Sequence, residues 1–335
     1  MDLKMLTEIN AVVGREQELR RLLSAELKEK GFDPYIDRMG NVIVVKKGTA
    51  PDAKRVMVAS HMDEVGLIVA SVTEDGLLRI LPAGAVDPRV IISKRVLVGD
   101  DKIPGVIGAM AIHLQSAADR ERVLAFSDIY VDIGAKDKKE AEAKCPKGTY
   151  IAFDTSAVEF GDGMLCAKAL DDRVGVYNLL RLLEEEYKND LVAVFTSKEE
   201  AGCLGAKGAA FEQNPDVGIV LEGTSANDLG ETPEVLHCCD LGGGVAVSFM
   251  DRTSLVNRNL FKLALATAKE QGIAHQVKHY VAGGNDAAMI QRARHGVPTV
   301  VLSVPCRYIH SPSSVCKMSD VDAQLALTKA LLNNC

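Results

Sequence analysis

The pattern that most constrains the fold is an interruption in an otherwise regular chain. Strands alternate with helices at both ends, whereas residues from about 65 to 164 alternate short β-prone runs with Gly, Pro and Asp turns. Strand–helix alternation is typical of an α/β sheet, and closely spaced short strands are typical of a small barrel or sandwich. We therefore predict an α/β unit, a mixed sheet flanked by helices, built from residues 1–65 and 165–335. A small all-β barrel is predicted as an insertion at 66–164.

The elements of both units follow from their residue patterns. Leucines at positions 19, 22, 23 and 27 recur at helical spacing, and Gly31 ends that helix. Further helices are expected at about 138–144, 172–187, 255–270, 286–294 and 319–333. Strands of the α/β unit are expected at 41–45, 55–60, 191–195, 217–221, 244–249 and 297–304. Strands of the inserted unit are expected at 66–70, 77–80, 90–92, 95–98 and 129–133.

Charge and hydropathy count against several classes of protein. The 335 residues include 39 Lys and Arg against 46 Asp and Glu, a net charge of −7, which disfavours a binder of nucleic acid or anionic membranes. No apolar run approaches the roughly 20 residues that a membrane-spanning helix needs. The N-terminal residues lack the basic-then-apolar pattern of a signal peptide. We expect a cytoplasmic protein with no membrane and no nucleic-acid partner.

Acidic and histidine residues stand at the carboxyl ends of the predicted strands, the edge at which open α/β sheets bind ligands. A single such residue is more often a helix cap or a hydrogen-bonded core histidine than a ligand. Five separate strand ends with this property together favour a metal site. These residues are His61 and Asp63, Asp171 and Asp172, Glu199 and Glu200, Glu222, and His310.

Charge balance favours a pair of divalent ions that share one carboxylate and one bridging water. Each metal then needs about two further protein ligands of the His or carboxylate type. Three ligand carboxylates and one hydroxide would balance two divalent cations in a partly dry site. The ligand places are filled by His61, His310, Glu200, Glu222 and a shared Asp171. Glu199 is left over, and a free carboxylate beside an activated water is placed to act as a general base.

Several sequence blocks resemble one known family and together span nearly the whole chain. They are Ser60–Gly66 (SHMDEVG), Lys168–Gly175 (KALDDRVG), Glu199–Ala206 (EEAGCLGA), Gly283–Ala287 (GGNDA), Gly296–Thr299 (GVPT) and Pro305–Pro312 (PCRYIHSP). The chain resembles the TET-type dinuclear metalloaminopeptidases. These are glutamyl and leucyl aminopeptidases, some of which carry the label endoglucanase.

The resemblance implies a role for each site residue. One metal is held by His61, Glu222 and Asp171, and the other by Glu200, His310 and Asp171. Glu199 is the general base and acid, and Asp63 orients the imidazole of His61. A cis peptide bond joins Asp171 to Asp172. The metals implied are two divalent ions per subunit, with zinc as the default and cobalt as a possible activator.

The resemblance also implies partners. The middle block is similar to the family's dimerisation domain, and relatives form tetrahedral dodecamers whose active sites face an internal chamber. We therefore expect a homo-oligomer, with dimers assembling to a dodecamer. Substrates are expected to be peptides with a free N-terminus.

The expected reaction is metal-dependent release of N-terminal residues from peptides. The bridging water loses a proton to Glu199 and attacks the scissile carbonyl, and Glu199 passes the proton to the leaving amine. A deacetylase or carboxypeptidase on a related dinuclear fold is an alternative. An endoglucanase is a weaker one, because sugar sites favour aromatic platforms and this chain has no Trp and 4% aromatic residues. A non-catalytic assembly or peptide-holding module would need the same metal ligands but not Glu199.

Two positions depart from the family pattern. Lys198 precedes the expected base where many relatives have Gln, so its ammonium either lowers the pKa of Glu199 or points to solvent. Glu222 stands where relatives often have Asp, and its side chain is one methylene longer.

Overall fold

The computed structural model describes residues 1–281 and 283–335 and consists of a large mixed sheet with helices and a closed barrel. The helices are α1 (Leu3–Glu8), α2 (Gln17–Glu29), α3 (Ala117–Glu121), α4 (Lys138–Lys144), α5 (Leu170–Leu182), α6 (Leu204–Gln213), α7 (Arg258–Glu270), α8 (Ala287–Ile290) and α9 (Met318–Asn334). Short 3-10 helices occupy Pro88–Val90, Ile112–Leu114, Phe126–Asp128 and Glu234–Leu236.

The strands divide between the two units. Those of the large sheet are β1 (Tyr35–Ile36), β2 (Val42–Lys46), β3 (Arg55–His61), β10 (Val158–Phe160), β11 (Met164–Ala167), β12 (Asp190–Thr196), β13 (Val217–Ser225), β14 (Val245–Val247), β15 (His275–Val277), β16 (Thr299–Arg307) and β17 (Ser314–Lys317). Those of the barrel are β4 (Gly66–Val72), β5 (Leu78–Ala83), β6 (Arg95–Val98), β7 (Ile103–Ala109), β8 (Ile129–Asp132) and β9 (Tyr150–Phe153).

The centre of the large sheet is parallel and buried. Its strand order is β1-β2-β12-β3-β13-β16-β17-β11-β10, with β14 pairing to β16 and β15 to β14. β3 pairs in parallel with both β12 and β13, and β13 pairs in parallel with β16. Every residue of β12 is buried, which is the burial pattern of a strand covered on both faces. The predicted mixed α/β sheet with helices is confirmed.

The barrel closes through antiparallel pairs in the order β4-β5-β8-β7-β6-β9. It has its own apolar core, which includes Leu67, Ile80, Val96, Ile107 and Phe153. The predicted all-β barrel is therefore confirmed. The bounds of the two domains remain a proposal. Val158–Phe160 lies within the range predicted for the barrel, 66–164, but as β10 it pairs with β11 in the large sheet.

Several predicted elements differ from those observed. The run at 90–92 was predicted as a strand but is not one: Val90 ends a 3-10 helix, Pro88–Val90, which is capped by Asp87 of the turn-favouring sequence Asp-Pro. The residue pattern does not predict β7 or β9, because these strands contain Pro104 and Ala152 and lack a clean β-branched pattern. The helix predicted at 286–294 is observed only over Ala287–Ile290. Among the described residues no helix is both long enough and apolar enough to cross a membrane.

Candidate metal centre

The predicted ligands meet at the carboxyl edge of the parallel strands. β3 ends at His61, and the register of the sheet places His61 beside Thr196, the last residue of β12. Glu199 and Glu200 follow Thr196, and Glu222 lies near the carboxyl end of β13. The parallel order therefore brings together residues that are far apart in the chain.

Asp171 lies between two imidazoles. Its Oδ1 is 3.3 Å from Nε2 of His61, and its Oδ2 is 3.3 Å from Nε2 of His310. The backbone N–H of Gly223 also donates to Oδ1 at 3.3 Å. The peptide bond between Asp171 and Asp172 is cis, as the family resemblance implies. One carboxylate thus faces both histidines, which is the arrangement a bridging ligand requires.

Each histidine has a different glutamate as its neighbour. Oε2 of Glu222 is 3.7 Å from Nε2 of His61, and Oε1 of Glu200 is 3.3 Å from Nε2 of His310. Ligand atoms of His61, Asp171 and Glu200 also lie within 4.8 Å of one another. The structure therefore brings all five predicted ligands into one cluster, with the glutamates on either side of Asp171.

Asp172 also comes close to the cluster, but its oxygens are already engaged. Its Oδ2 accepts from Oγ of Ser60 at 2.5 Å and from the N–H of His61 at 3.3 Å. Its Oδ1 accepts from the N–H of Gly175 at 3.1 Å. These bonds make Asp172 a support for the end of β3.

The electrostatics of the cluster are those of an acidic site that needs positive charge. Burial raises the pKa of Glu199 and Glu222 well above their usual range, and raises the pKa of Glu200 to about 7. Burial alone would lower the pKa of His310, but the hydrogen bond to Asp171 and the charge of Glu200 raise it to about 9. These raised pKa values favour bound protons, and the protons supply positive charge that the cluster would otherwise need from another cation.

The donor set fits divalent metals of the zinc type. Two imidazoles and three carboxylates are ligands that zinc and cobalt accept, and such ions would balance the acidic groups without protons. The His61 side chain is buried, and burial would lower its pKa. Its hydrogen bond to Asp171 and the charge of Glu222 raise that pKa well above the usual range.

Asp63 contacts the site through both its backbone carbonyl and its carboxylate. Its backbone carbonyl accepts from Nδ1 of His61 at 3.0 Å, whereas its carboxylate Oδ1 is 3.7 Å from the same nitrogen. The carboxylate accepts from the backbone N–H groups of Glu199 and Glu200, each at 3.0 Å. In this structure the carbonyl orients the imidazole, and the carboxylate fixes the loop that carries both glutamates.

Cys203 is a neighbour of Glu199 that the sequence analysis did not identify. Its thiol donates to Oε1 of Glu199 at 3.3 Å, four residues along the chain. Ligand atoms of Glu199, Cys203 and Asp286 lie within 4.8 Å of one another. Asp286 accepts from Oγ1 of Thr196 at 2.5 Å and is part of the GGNDA block, which was the available signal. The Glu199 carboxylate therefore has a thiol and a second acid beside it.

Lys198 takes neither of the two positions considered for it. Its Nζ donates to the backbone carbonyl of Met39 at 3.0 Å, and its φ of 60° lies in the left-handed region. The side chain thus joins the loop after β12 to the segment before β2.

A buried ion pair between Lys168 and Glu64 lies next to the cluster. Nζ of Lys168 lies 2.8 and 2.7 Å from the two carboxylate oxygens of Glu64, and both side chains are 2% exposed. The N–H of Ala11 also donates to Glu64 at 2.8 Å, and Arg173 donates from Nε to the carbonyl of Met62 at 3.0 Å. These contacts connect the segment after β3 to the start of α5.

A cavity of about 510 Å³ opens beside the cluster. Glu199, Glu222 and His310 form part of its wall, and Thr253 and Lys278 form another part. The volume falls in the usual range for ligand sites.

The barrel reaches this cavity through one turn. Ala85 lines the cavity, and Gly84 before it has a φ of +86°. A Cβ added at Gly84 would lie 2.9 Å from Cγ1 of Val65 and 3.4 Å from Oε2 of Glu200. The close approach and the positive φ both require glycine here.

A family model and several known proteins match this chain. A model of the M42 glutamyl aminopeptidase family matches residues 40–327. The chain is 35% identical over 328 residues to a putative aminopeptidase of Acetivibrio thermocellus, covering 97% of this chain and 96% of the relative. It is 34% identical over 338 residues to a lysyl aminopeptidase of Pyrococcus furiosus, covering 98% and 95%.

Solved structures share the fold. An aminopeptidase from the archaeon Desulfurococcus kamchatkensis superposes with a TM-score of 0.93 at 31% identity, over 99% of this chain and 94% of that one. The TET1 peptidase of Pyrococcus horikoshii, described as assembling into a tetrahedron or a large octahedral shell, superposes with a TM-score of 0.87 at 28% identity, over 99% and 98%.

Proposed function

Because this chain belongs to the M42 glutamyl aminopeptidase family, a family of peptide hydrolases, we propose that it is a dinuclear metal-dependent aminopeptidase. It would release N-terminal residues from peptides. The observation that carries the dinuclear proposal is the position of Asp171, whose two oxygens face His61 and His310 at 3.3 Å each.

The five clustered residues would hold two divalent ions. His61 and Glu222 would serve one ion, Glu200 and His310 the other, and Asp171 both. Zinc is the first choice for these ligands, and cobalt is a second. Ions bound there would supply Lewis-acid activation of a water and of the scissile carbonyl.

Glu199 is proposed as the group that moves protons. Among the described residues, no histidine nitrogen lies within 4.0 Å of its carboxylate, whereas Glu200 and Glu222 each have one, and Glu199 borders the cavity. Its carboxylate would take a proton from the attacking water and return it to the leaving amine. Asp63 would keep Glu199 in place, because its carboxylate accepts a hydrogen bond from the backbone N–H of Glu199 at 3.0 Å.

The acidic wall of the cavity would also bind the free amino group of the substrate. Glu199, Glu200 and Glu222 line it, and an α-ammonium is the cation that every unblocked peptide presents. This requirement would make the enzyme an exopeptidase acting at the N-terminus.

Self-association is proposed through the barrel. The segment after β7 exposes apolar side chains: Met110 is 57%, Ile112 70% and Leu114 68% exposed. Contiguous exposed apolar side chains are typical of interaction sites. A solved structure of PhTET1-12s, which superposes with a TM-score of 0.87 at 28% identity, is described as a dodecamer, and by analogy we propose that dimers of this chain assemble to a dodecamer. We also propose a cytoplasmic location, where free cysteines such as those of this chain stay reduced.

The other candidate functions differ in what they need. A deacetylase or carboxypeptidase would use the same metals but would not require a free α-amine. A holding module would not require Glu199. An endoglucanase would need a sugar platform, and this chain has no Trp.

One assay separates these functions. Aminoacyl p-nitroanilides with Glu, Gln, Leu and Lys are offered to protein treated with chelator, then to the same protein with Zn²⁺ or Co²⁺ restored. We expect hydrolysis only with metal, and none of the N-acetylated forms. Cleavage of acetylated substrates in preference to free amines would favour the deacetylase. Chelator-insensitive cleavage of carboxymethyl-cellulose would favour the glycosidase, and no turnover would favour the holding module.

A further inference from the structure

Glu199 has two neighbours that take no part in the proposed metal pair or the proposed proton transfer. The thiol of Cys203 donates to Oε1 of Glu199 at 3.3 Å. Ligand atoms of Glu199, Cys203 and Asp286 lie within 4.8 Å of one another, and none of the three is among the five ligands proposed for the pair. These three residues, here called the thiol cluster, are a second set of donor atoms beside it.

One oxygen of the thiol cluster lacks a hydrogen-bond donor. Asp286 is 1% exposed, and its Oδ2 accepts from Oγ1 of Thr196 at 2.5 Å. Its Oδ1 is also buried, and no donor of a described residue bonds to it. The single proton of the Cys203 thiol is engaged by Glu199. A buried carboxylate oxygen without a donor is costly unless a cation or another polar group binds it.

The tight turn after β12 holds the thiol and the Glu199 carboxylate together. The backbone N–H groups of Gly202 and Cys203 both donate to the carbonyl of Glu199 at 2.8 Å. The Asp63 carboxylate accepts from the backbone N–H of Glu199 at 3.0 Å. Glu199 and Cys203 also line the cavity of about 510 Å³, which gives an ion a route to them. These donors are therefore positioned before any ion binds.

The donor types and their spacing suit zinc. Thiolate and carboxylate are both zinc ligands, and three protein ligands leave a fourth position for water. In a tetrahedral zinc site the ligand atoms lie about 3.5 Å apart, close to the 3.3 Å between Sγ of Cys203 and Oε1 of Glu199. Binding would release the thiol proton to solvent, which lowers the affinity, so this site should fill only after the metal pair.

We propose that Glu199, Cys203 and Asp286 bind a third divalent ion, preferably zinc, and that this ion inhibits the enzyme. A Glu199 carboxylate that ligates an ion is no longer free to take a proton from the attacking water. Two ions per subunit would therefore support turnover, and excess zinc would stop it. The inhibition rests on the proposed aminopeptidase function, whereas the binding of the third ion does not.

Cobalt reports the third site without any substrate. The five ligands proposed for the metal pair contain no sulfur, so a thiolate-to-cobalt charge-transfer absorption must arise elsewhere. Chelated, assembled protein is titrated with Co²⁺, and we expect this absorption to appear after two equivalents per subunit have bound. Cys203→Ser should lose it, whereas Cys335→Ser, which changes a partly exposed cysteine at the C-terminus, should keep it. Absence of the absorption, or its retention in Cys203→Ser, would overturn the proposal.

Zinc inhibition is measured with the most rapidly cleaved aminoacyl p-nitroanilide, and each variant is compared with its own rate at two equivalents of Zn²⁺. We expect excess Zn²⁺ to lower the wild-type rate by about 100-fold or more, as for loss of the general base. Cys203→Ser should need about 10- to 100-fold more Zn²⁺ for half of this effect, because one ligand is lost. Asp286→Asn, which keeps an oxygen to accept from Thr196, should shift the zinc dependence in the same direction. An unchanged zinc dependence in Cys203→Ser would overturn the proposal.

Failure of this proposal is distinguishable from failure of the aminopeptidase function. If the metal-loaded protein hydrolyses no aminoacyl substrate, the aminopeptidase function and the inhibitory role are both refuted, and the cobalt titration still decides whether the third ion binds. If the protein hydrolyses these substrates and excess Zn²⁺ does not slow it, the inhibitory role is refuted and the aminopeptidase function stands.

Discussion

The carboxyl edge of the large sheet and the outer surface of the barrel depart from ordinary packing in opposite directions. At the sheet edge charged groups are buried, as His61 and Asp63 show at 1% and 0% exposure. On the barrel, apolar groups such as Ile112 and Leu114 are exposed. A buried charge is relieved by a counter-ion and an exposed apolar patch by another protein surface. The comparison supports the two proposals that metal completes the edge and that a second subunit covers the barrel segment.

The largest expected effect tests the edge itself. Glu199→Gln should lower kcat by about 10²- to 10⁴-fold, because the proton acceptor is lost, while zinc content stays unchanged. Glu200→Gln should lower zinc content as well as activity. Metal analysis beside steady-state rates checks both. If Glu199→Gln loses metal and Glu200→Gln retains it, the two glutamates have been assigned the wrong way round.

The second prediction concerns the contribution of the buried Lys168–Glu64 ion pair to stability. Lys168→Met leaves the buried Glu64 without its main partner, and we expect the free energy of unfolding to fall by about 3–5 kcal/mol. Lys144→Met on the barrel removes an exposed pair with Glu140 and should cost less than about 1 kcal/mol. Urea denaturation of chelated protein measures both. If the two variants lose similar free energies of unfolding, burial does not explain a difference between the two ion pairs.

The third prediction tests the barrel. The double substitution Ile112→Asp with Leu114→Asp should dissociate the assembly, because charge replaces the apolar patch, and sedimentation velocity would show smaller particles. Hydrolysis of a small anilide per subunit should stay within about twofold. Val158→Asp changes an apolar residue of the large sheet that is 56% exposed and serves as the control. An intact dodecamer in the double variant would show that this segment of the barrel does not form the subunit interface.

The fourth prediction is a pH dependence that belongs to the edge alone. The pKa of Glu200 is raised to about 7 by burial. That of His310 is raised to about 9 by Asp171 and Glu200, although burial opposes this. Both groups hold protons more tightly in the folded state. Their stabilisation is therefore complete below the unfolded pKa, about 4.5 for Glu200 and 6.5 for His310, and is lost as pH rises through about 7 and 9.

The measurement is the melting temperature of chelated protein between about pH 5 and pH 9. We expect it to fall by several degrees, and we expect Zn²⁺ to remove most of the fall because metal replaces the protons. A melting temperature that rises over this range in chelated protein would contradict the electrostatic description of the edge.

The smallest expected effect concerns Cys203. Cys203→Ala removes the thiol hydrogen bond to Glu199 and should lower kcat by about 2- to 10-fold, whereas Cys203→Ser keeps a donor and should lower it less. The pH profile of kcat should shift with the alanine variant, because the surroundings of the base have changed. A fall in kcat with an unchanged profile would indicate packing alone.

The sequence predicted the parts of the fold and the site that follow from local pattern. Strand–helix alternation places His61, Glu200 and Glu222 at strand ends, and parallel pairing then brings them together. It did not predict which group of Asp63 faces His61, because that depends on how the chain turns after β3. Nor did it predict the position of Lys278, because the cavity wall is formed by segments that no motif connects. The pairing of β10 with β11 was missed for a different reason, because Val158–Phe160 is a strand of three residues and too short to show an alternating pattern.

The turn at Gly84 has a consequence for engineering. A barrel taken from a relative and grafted onto this sheet would have to bring a turn with the same left-handed backbone and no side chain. Any bulk there would push against Val65 and Glu200. The two units are thus not freely exchangeable, because this turn of the barrel lies against Glu200, one of the proposed metal ligands.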